Sequence, residues 1–118
     1  IKIKCRTLDS VIDEIDNNIS YDFLKIDVQG AEHLVLRGAE NFLENSCIGI
    51  QLEAFNIPLF KELKLLPELI DILKNYNFKL AKEFPRHGSF NSQSECIFLK
   101  RNIESKKMKV IKKIYDLP

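Results

Sequence analysis

Two carboxylates stand at matching places in the sequence. Asp27 lies near the end of the run YDFLKIDV, and Glu53 near the end of CIGIQLEAF. A carboxylate there can accept hydrogen bonds from a ligand ammonium or hydroxyl. It can also take a proton from an attacking group, or help hold a divalent cation. The residues after Asp27 extend the candidate set. Gly30 lets the chain turn sharply from strand to helix. Glu32 falls in the first turn of that helix, where the positive end of the helix dipole favours it, and it could equally serve the cap alone. His33 follows, where the helix begins. A competing reading gives the stretch no chemistry: Lys25 and Asp27 share a strand face and form a partly buried ion pair.

Other chemistry is thinly represented. His33 and His87 have no partners at metal-ligand or triad spacing, so a surface histidine is the default for both. Two separated carboxylates make only a weak magnesium case, and no metal is expected. The three cysteines, Cys5, Cys47 and Cys96, form neither a disulfide framework nor a zinc pattern. Buried thiols in a reducing compartment are expected. No G-x-G-x-x-G, Walker loop, G-x-S-x-G or C-x-x-C occurs, so the glycine loop that would cradle a nucleotide cofactor is missing from the chain.

The elements that would position these residues can be read from periodicity. IKIKC alternates apolar and basic residues, as a half-exposed strand does. Leu8, Val11, Ile12 and Ile15 mark one helix face, with Thr7 as N-cap, Asp9 in the first turn and a stop at Asn17-Asn18. YDFLKIDV reads as a strand, and residues 31–45 as one helix with a stripe of Leu34, Val35, Ala39, Phe42 and Leu43. CIGIQLEAF suits a strand covered on both sides. Pro67 fits the first turn of a helix lined by Leu66, Leu69, Ile70 and Leu73. FKLAKEF and ECIFLK read as strands, joined by the polar loop PRHGSFNSQS. The order is β-α-β-α-β-α-β-β, an α/β chain with a mostly parallel sheet, helices on its faces and an antiparallel final strand pair.

Composition sets the outer limits. With 118 residues, 45% of them hydrophobic and 30% charged, one folded domain is the natural expectation. A net charge of +1 gives no case for a nucleic-acid partner. No apolar run is long enough to span a membrane and no signal peptide is visible, so a cytoplasmic location is expected. The first residue is Ile1, and the chain is expected to begin inside a longer protein or to have been trimmed. Residues 102–118 stand apart as a basic amphipathic extension, with Lys106, Lys107, Lys109, Lys112 and Lys113 around Met108, Val110, Ile111 and Ile114. Such a helix could touch an anionic membrane surface. A solvated terminal helix or fraying tail is preferred, so membrane contact is not expected.

TLDSVIDEI, DFLKIDVQGAEHLVLRGAENFL, IGIQLEAF, NYNFKL and SECIFLKR together resemble the FkbM family of S-adenosylmethionine-dependent methyltransferases. The likeness runs in order from residue 5 to about residue 101, and its most specific part is LKIDVQGAE with VLRGA. It departs from the family at Gln29, where a glutamate is common, so a role needing a carboxylate there is in doubt. The resemblance implies that residues 1–101 are the C-terminal half of a methyltransferase domain of Rossmann-like class. That half supplies strands four to seven of the sheet. Asp27 and Glu53 are then the expected catalytic residues, with Asp27, Gln29 and Gly30 against the cofactor and Glu32 and His33 on the substrate side. The implied reaction moves a methyl group from S-adenosylmethionine to a hydroxyl oxygen of a sugar or natural product. The family's glycine-rich cofactor loop lies outside this chain, so the chain is expected to be inactive alone, and its open sheet edge to permit self-association. The alternative is a non-catalytic α/β binding or assembly module.

Overall fold

The elements run α1 (Leu8–Glu14), β1 (Phe23–Ile26), α2 (Glu32–Arg37), α3 (Glu40–Asn45), β2 (Gly49–Phe55), α4 (Leu66–Lys74), β3 (Phe78–Glu83), β4 (Gln93–Lys100) and α5 (Lys106–Ile114). The computed structural model describes residues 1–15 and 18–118. Four strands form one sheet in the order β1-β2-β4-β3. β1 and β2 are parallel, and β4 runs antiparallel to both of its neighbours. This is the mixed sheet expected from the sequence, parallel first and antiparallel at the end.

Side-chain alternation explains the layers. On one sheet face Ile26, Ile50, Leu52, Ala54, Cys96 and Phe98 are buried in a core with Phe42 and Leu43 of α3 and Leu66, Leu69 and Leu73 of α4. On the other, Ile97 and Leu99 pack with Met108 and Ile111 of α5. The stretch read as a solvated or fraying tail is therefore a helix seated on the sheet. Ser105 caps it, accepting from Met108 N at 3.1 Å. β2 is covered fully on one face only, because Gln51 and Glu53 stay half-exposed on the other.

Three further expectations are corrected. IKIKC is not a strand: among the described residues no strand pairs with it, and residues 1–5 are exposed. The single helix over residues 31–45 is two helices. Gly38 closes α2 by donating to the carbonyls of Leu34 and Val35, and α3 then starts afresh on a cap from elsewhere. Asp9 provides it, its two carboxylate oxygens accepting from Asn41 N at 2.8 Å and Phe42 N at 3.0 Å. The break leaves Leu34 of the supposed apolar stripe exposed. Finally, Cys47 and Cys96 are buried as expected but Cys5 is exposed.

Thr7 caps α1 as read, accepting from Ser10 N at 3.1 Å. The helix ends at Glu14; of the Asn17-Asn18 stop, Asn17 lies outside the described residues. The two motif blocks TLD and VLRGA lock together. Asp9 N donates to Gly38 O at 2.9 Å, and a Cβ on Gly38 would stand 3.1 Å from that of Thr7. PRHGSFNSQS contains a short 3-10 turn, Ser89–Asn91, and the first residues of β4.

Candidate functional site

β1 leaves the sheet after Ile26, which pairs with Leu52 of β2. That parallel register puts Asp27 next to Glu53 at the carboxyl edge. The turn that follows needs two left-handed residues, Gln29 (φ 50°) and Gly30 (φ 104°). Glycine adopts such a φ without strain, and here a Cβ would also sit 3.0 Å from Leu63 Cδ1. Gln29 bears the strain a non-glycine residue feels there. Its amide folds back to donate to Asp27 Oδ1 at 3.2 Å.

Glu32 is only 3% exposed. Both of its carboxylate oxygens accept from Gly30 N, at 3.0 and 3.1 Å. It thus tightens the turn from within, and the N–H that Gly30 might have turned outward is already engaged. Burial raises the Glu32 pKa, the hydrogen bond from Gly30 opposes this, and the charges of Glu53 and Asp27 push it further up. Burial also raises that of Glu53, with Glu95 and Asp27 adding to the rise and His87 opposing it. Asp27, Glu32 and Glu53 are therefore brought within electrostatic reach of one another, at the sheet edge where ligands of open α/β sheets bind.

The alternative ion pair does not form. Asp27 is bonded to Gln29, and among the described residues Lys25 makes no salt bridge with it. His33 faces elsewhere, into a cleft of about 200 Å³ between α2 and α4 with Arg37, Lys64 and Tyr76. Burial lowers its pKa, as do the charges of Lys64 and Arg37, and its Nδ1 is buried without a hydrogen-bond partner. Of the sequence-derived set, Asp27, Gln29, Gly30, Glu32 and Glu53 share one edge and His33 does not.

Two neighbours of Glu53 escaped the sequence reading. Glu95 lies directly opposite it across β2 and β4, where like charges repel. Glu95 Oε2 is held by Gln51 Nε2 at 3.2 Å, and the Gln51 Oε1 in turn accepts from the Tyr115 hydroxyl at 2.7 Å. His87 reaches the site because it pairs with Gln93, the first residue of β4. That bridge depends on a register no local pattern announces. Among the described residues no group of three or more His, Cys, Asp or Glu could hold a metal ion.

Beside this edge lies a broad, mainly apolar cleft of about 630 Å³ between α1 and α2, lined among others by Cys5, Val11, Val28, Ala31 and Leu34. The carboxylates and the apolar cleft thus border the same β1–α2 turn.

Comparison with protein families gives one match. The model described as the methyltransferase FkbM domain matches residues 1–80. That span takes in every sequence-derived site residue from Asp27 to Glu53, and is shorter than the resemblance traced to about residue 101. No curated protein and no solved structure matches the chain.

Proposed function

The chain belongs to the FkbM methyltransferase family, and on that premise we propose that it forms the acceptor-side wall of a site that methylates a hydroxyl oxygen of a sugar or natural product, with S-adenosylmethionine as donor. The observation that carries this reading is the meeting of Asp27 and Glu53 at the carboxyl edge, with Glu53 held above the usual carboxylate range. A carboxylate of raised pKa is a better proton acceptor near neutral pH.

The residues present fit the donor only in part. Asp27 is exposed and can accept from an ammonium or hydroxyl. The Gly30 N–H is taken by Glu32 and the Gln29 amide by Asp27. The sequence holds no glycine-rich loop. The donor supplies an electrophilic methyl group. The role of this chain's residues is to hold the acceptor at the edge and to take the proton its hydroxyl loses, Glu53 being the better base and Asp27 the better-exposed orienting group. His33, turned into its own cleft, has no part in this proposal. The free cysteines favour a reducing, cytoplasmic setting. The open side of β1 supports self-association of the isolated chain.

Methyl transfer from labelled S-adenosylmethionine, measured in the enzyme that joins this segment to a cofactor-binding half, tests the assignment. Asp27→Asn and Glu53→Gln are each expected to lower the rate roughly 10²-fold or more, as loss of a general base does. The polar groups of Gln29 and Gly30, already bonded to Asp27 and Glu32, favour a second reading, a non-catalytic α/β module. Unchanged transfer by both variants would remove Asp27 and Glu53 from the chemistry and favour that reading.

A further inference from the structure

The outer face of α5 sets exposed apolar residues among exposed lysines. Five of the chain's 18 basic residues and two of its 17 acidic ones lie in residues 102–118, so this stretch carries +3 and the remainder −2. Met108 and Ile111 turn inward against the sheet. The opposite side presents Lys106, Lys109, Val110, Lys113 and Ile114, all exposed. Among the described residues only Lys107 of this helix forms a salt bridge, with Asp22 Oδ2 at 2.8 Å. Val110 and Ile114 are 57% and 68% exposed and lie one turn apart, so they form a single apolar ridge. Beside the ridge is a mainly apolar cleft of about 320 Å³ lined by Asp22, Phe23, Lys106, Lys107, Val110 and Ile111, and the Asp22 carboxylate is paired with Lys107.

We propose that this face of α5 docks on an anionic lipid bilayer. On the sequence alone a solvated terminal helix or fraying tail is preferred to membrane contact. The structure changes the count: α5 buries Met108 and Ile111 and still has Val110 and Ile114 left over, set among Lys106, Lys109 and Lys113, which form no salt bridge among the described residues. Lysines meet acidic headgroups, and the apolar ridge enters the headgroup boundary between them. A nucleic acid would satisfy the lysines and leave the ridge in water, so the ridge selects the bilayer. No helix among the described residues is long and apolar enough to cross a membrane, so the contact is peripheral. The proposal rests on α5 alone and is independent of the methyl-transfer reading.

Co-sedimentation of the 118-residue chain with vesicles tests it. Binding is expected to phosphatidylserine-containing vesicles and not to pure phosphatidylcholine, and to fall with added salt. Lys106→Ala, Lys109→Ala and Lys113→Ala are each expected to weaken it roughly fivefold. Val110→Ser with Ile114→Ser is expected to weaken it roughly tenfold or more. All five positions are exposed, so circular dichroism should show an unchanged fold. No binding to acidic vesicles overturns the proposal, including the case in which a dimer or another polypeptide covers α5. Full binding by the doubly substituted ridge variant, or binding of a single-stranded RNA as tight as that of vesicles, also overturns it.

Discussion

At the residue scale, the family's motif positions divide into those proposed to do chemistry and those that hold the fold together. Asp9 belongs to the second kind. Its sequence position suggests a charge in the first turn of α1, yet its carboxylate caps α3, more than 30 residues away. Asp9→Ala is expected to cost about 1–2 kcal/mol in urea unfolding, the value of a lost N-cap. Gly30 is the sharper case, because positive φ and the nearby Leu63 both oppose a side chain. Gly30→Ala is expected to cost about 1–3 kcal/mol by the same measurement. Glu53 controls a pH dependence. A carboxyl whose folded pKa lies above its unfolded value favours the fold when protonated. Its contribution is present below the ordinary value of 4.5 and is lost as pH rises through the higher folded value. Glu53→Gln should therefore reduce the stability lost as pH rises above the ordinary carboxyl value of 4.5. An unchanged profile in urea unfolding would show that Glu53 ionises as it does in the unfolded chain.

At the element scale, legibility followed locality. β1, β2 and α4 were readable because their apolar period lies within a few residues and their ends carry Gly, Asn or Pro signals. The division of residues 31–45 into α2 and α3 was not readable, because the new start depends on a carboxylate in α1. IKIKC has the period of a strand, but a strand exists only where another backbone pairs with it. Asp27 and Glu53 were readable as an edge pair from their places at strand ends. Glu95 and His87 were not, because the antiparallel register of β4 brings them there. α5 is the largest revision: its lysines suggested a tail, whereas Met108 and Ile111 close the second face of the sheet. Met108→Ala is expected to cost about 2–5 kcal/mol in thermal or urea unfolding, the range for a buried large-to-small change. A loss near zero would mean that α5 is not held against Ile97 and Leu99.

At the scale of the whole molecule, the two edges of the sheet differ. β3 is guarded by Lys79 and Lys82 and by the register shift between Leu80 and Lys82, devices that discourage further pairing. β1 lacks such a shift and is bordered by an apolar cleft formed by α1, Tyr21, Phe23, Leu24 and Phe42. The carboxylates that would serve methyl transfer lie on this open side of the sheet. The same 118 residues hold no glycine-rich loop to cradle the donor. On the proposed function, acceptor-side chemistry is separated from donor binding, which these residues do not supply on their own. Isothermal titration of S-adenosylmethionine into the isolated chain tests that separation most directly. No measurable heat is expected at micromolar concentrations. Saturable micromolar binding would contradict it, because the donor's cradle would then lie within these residues.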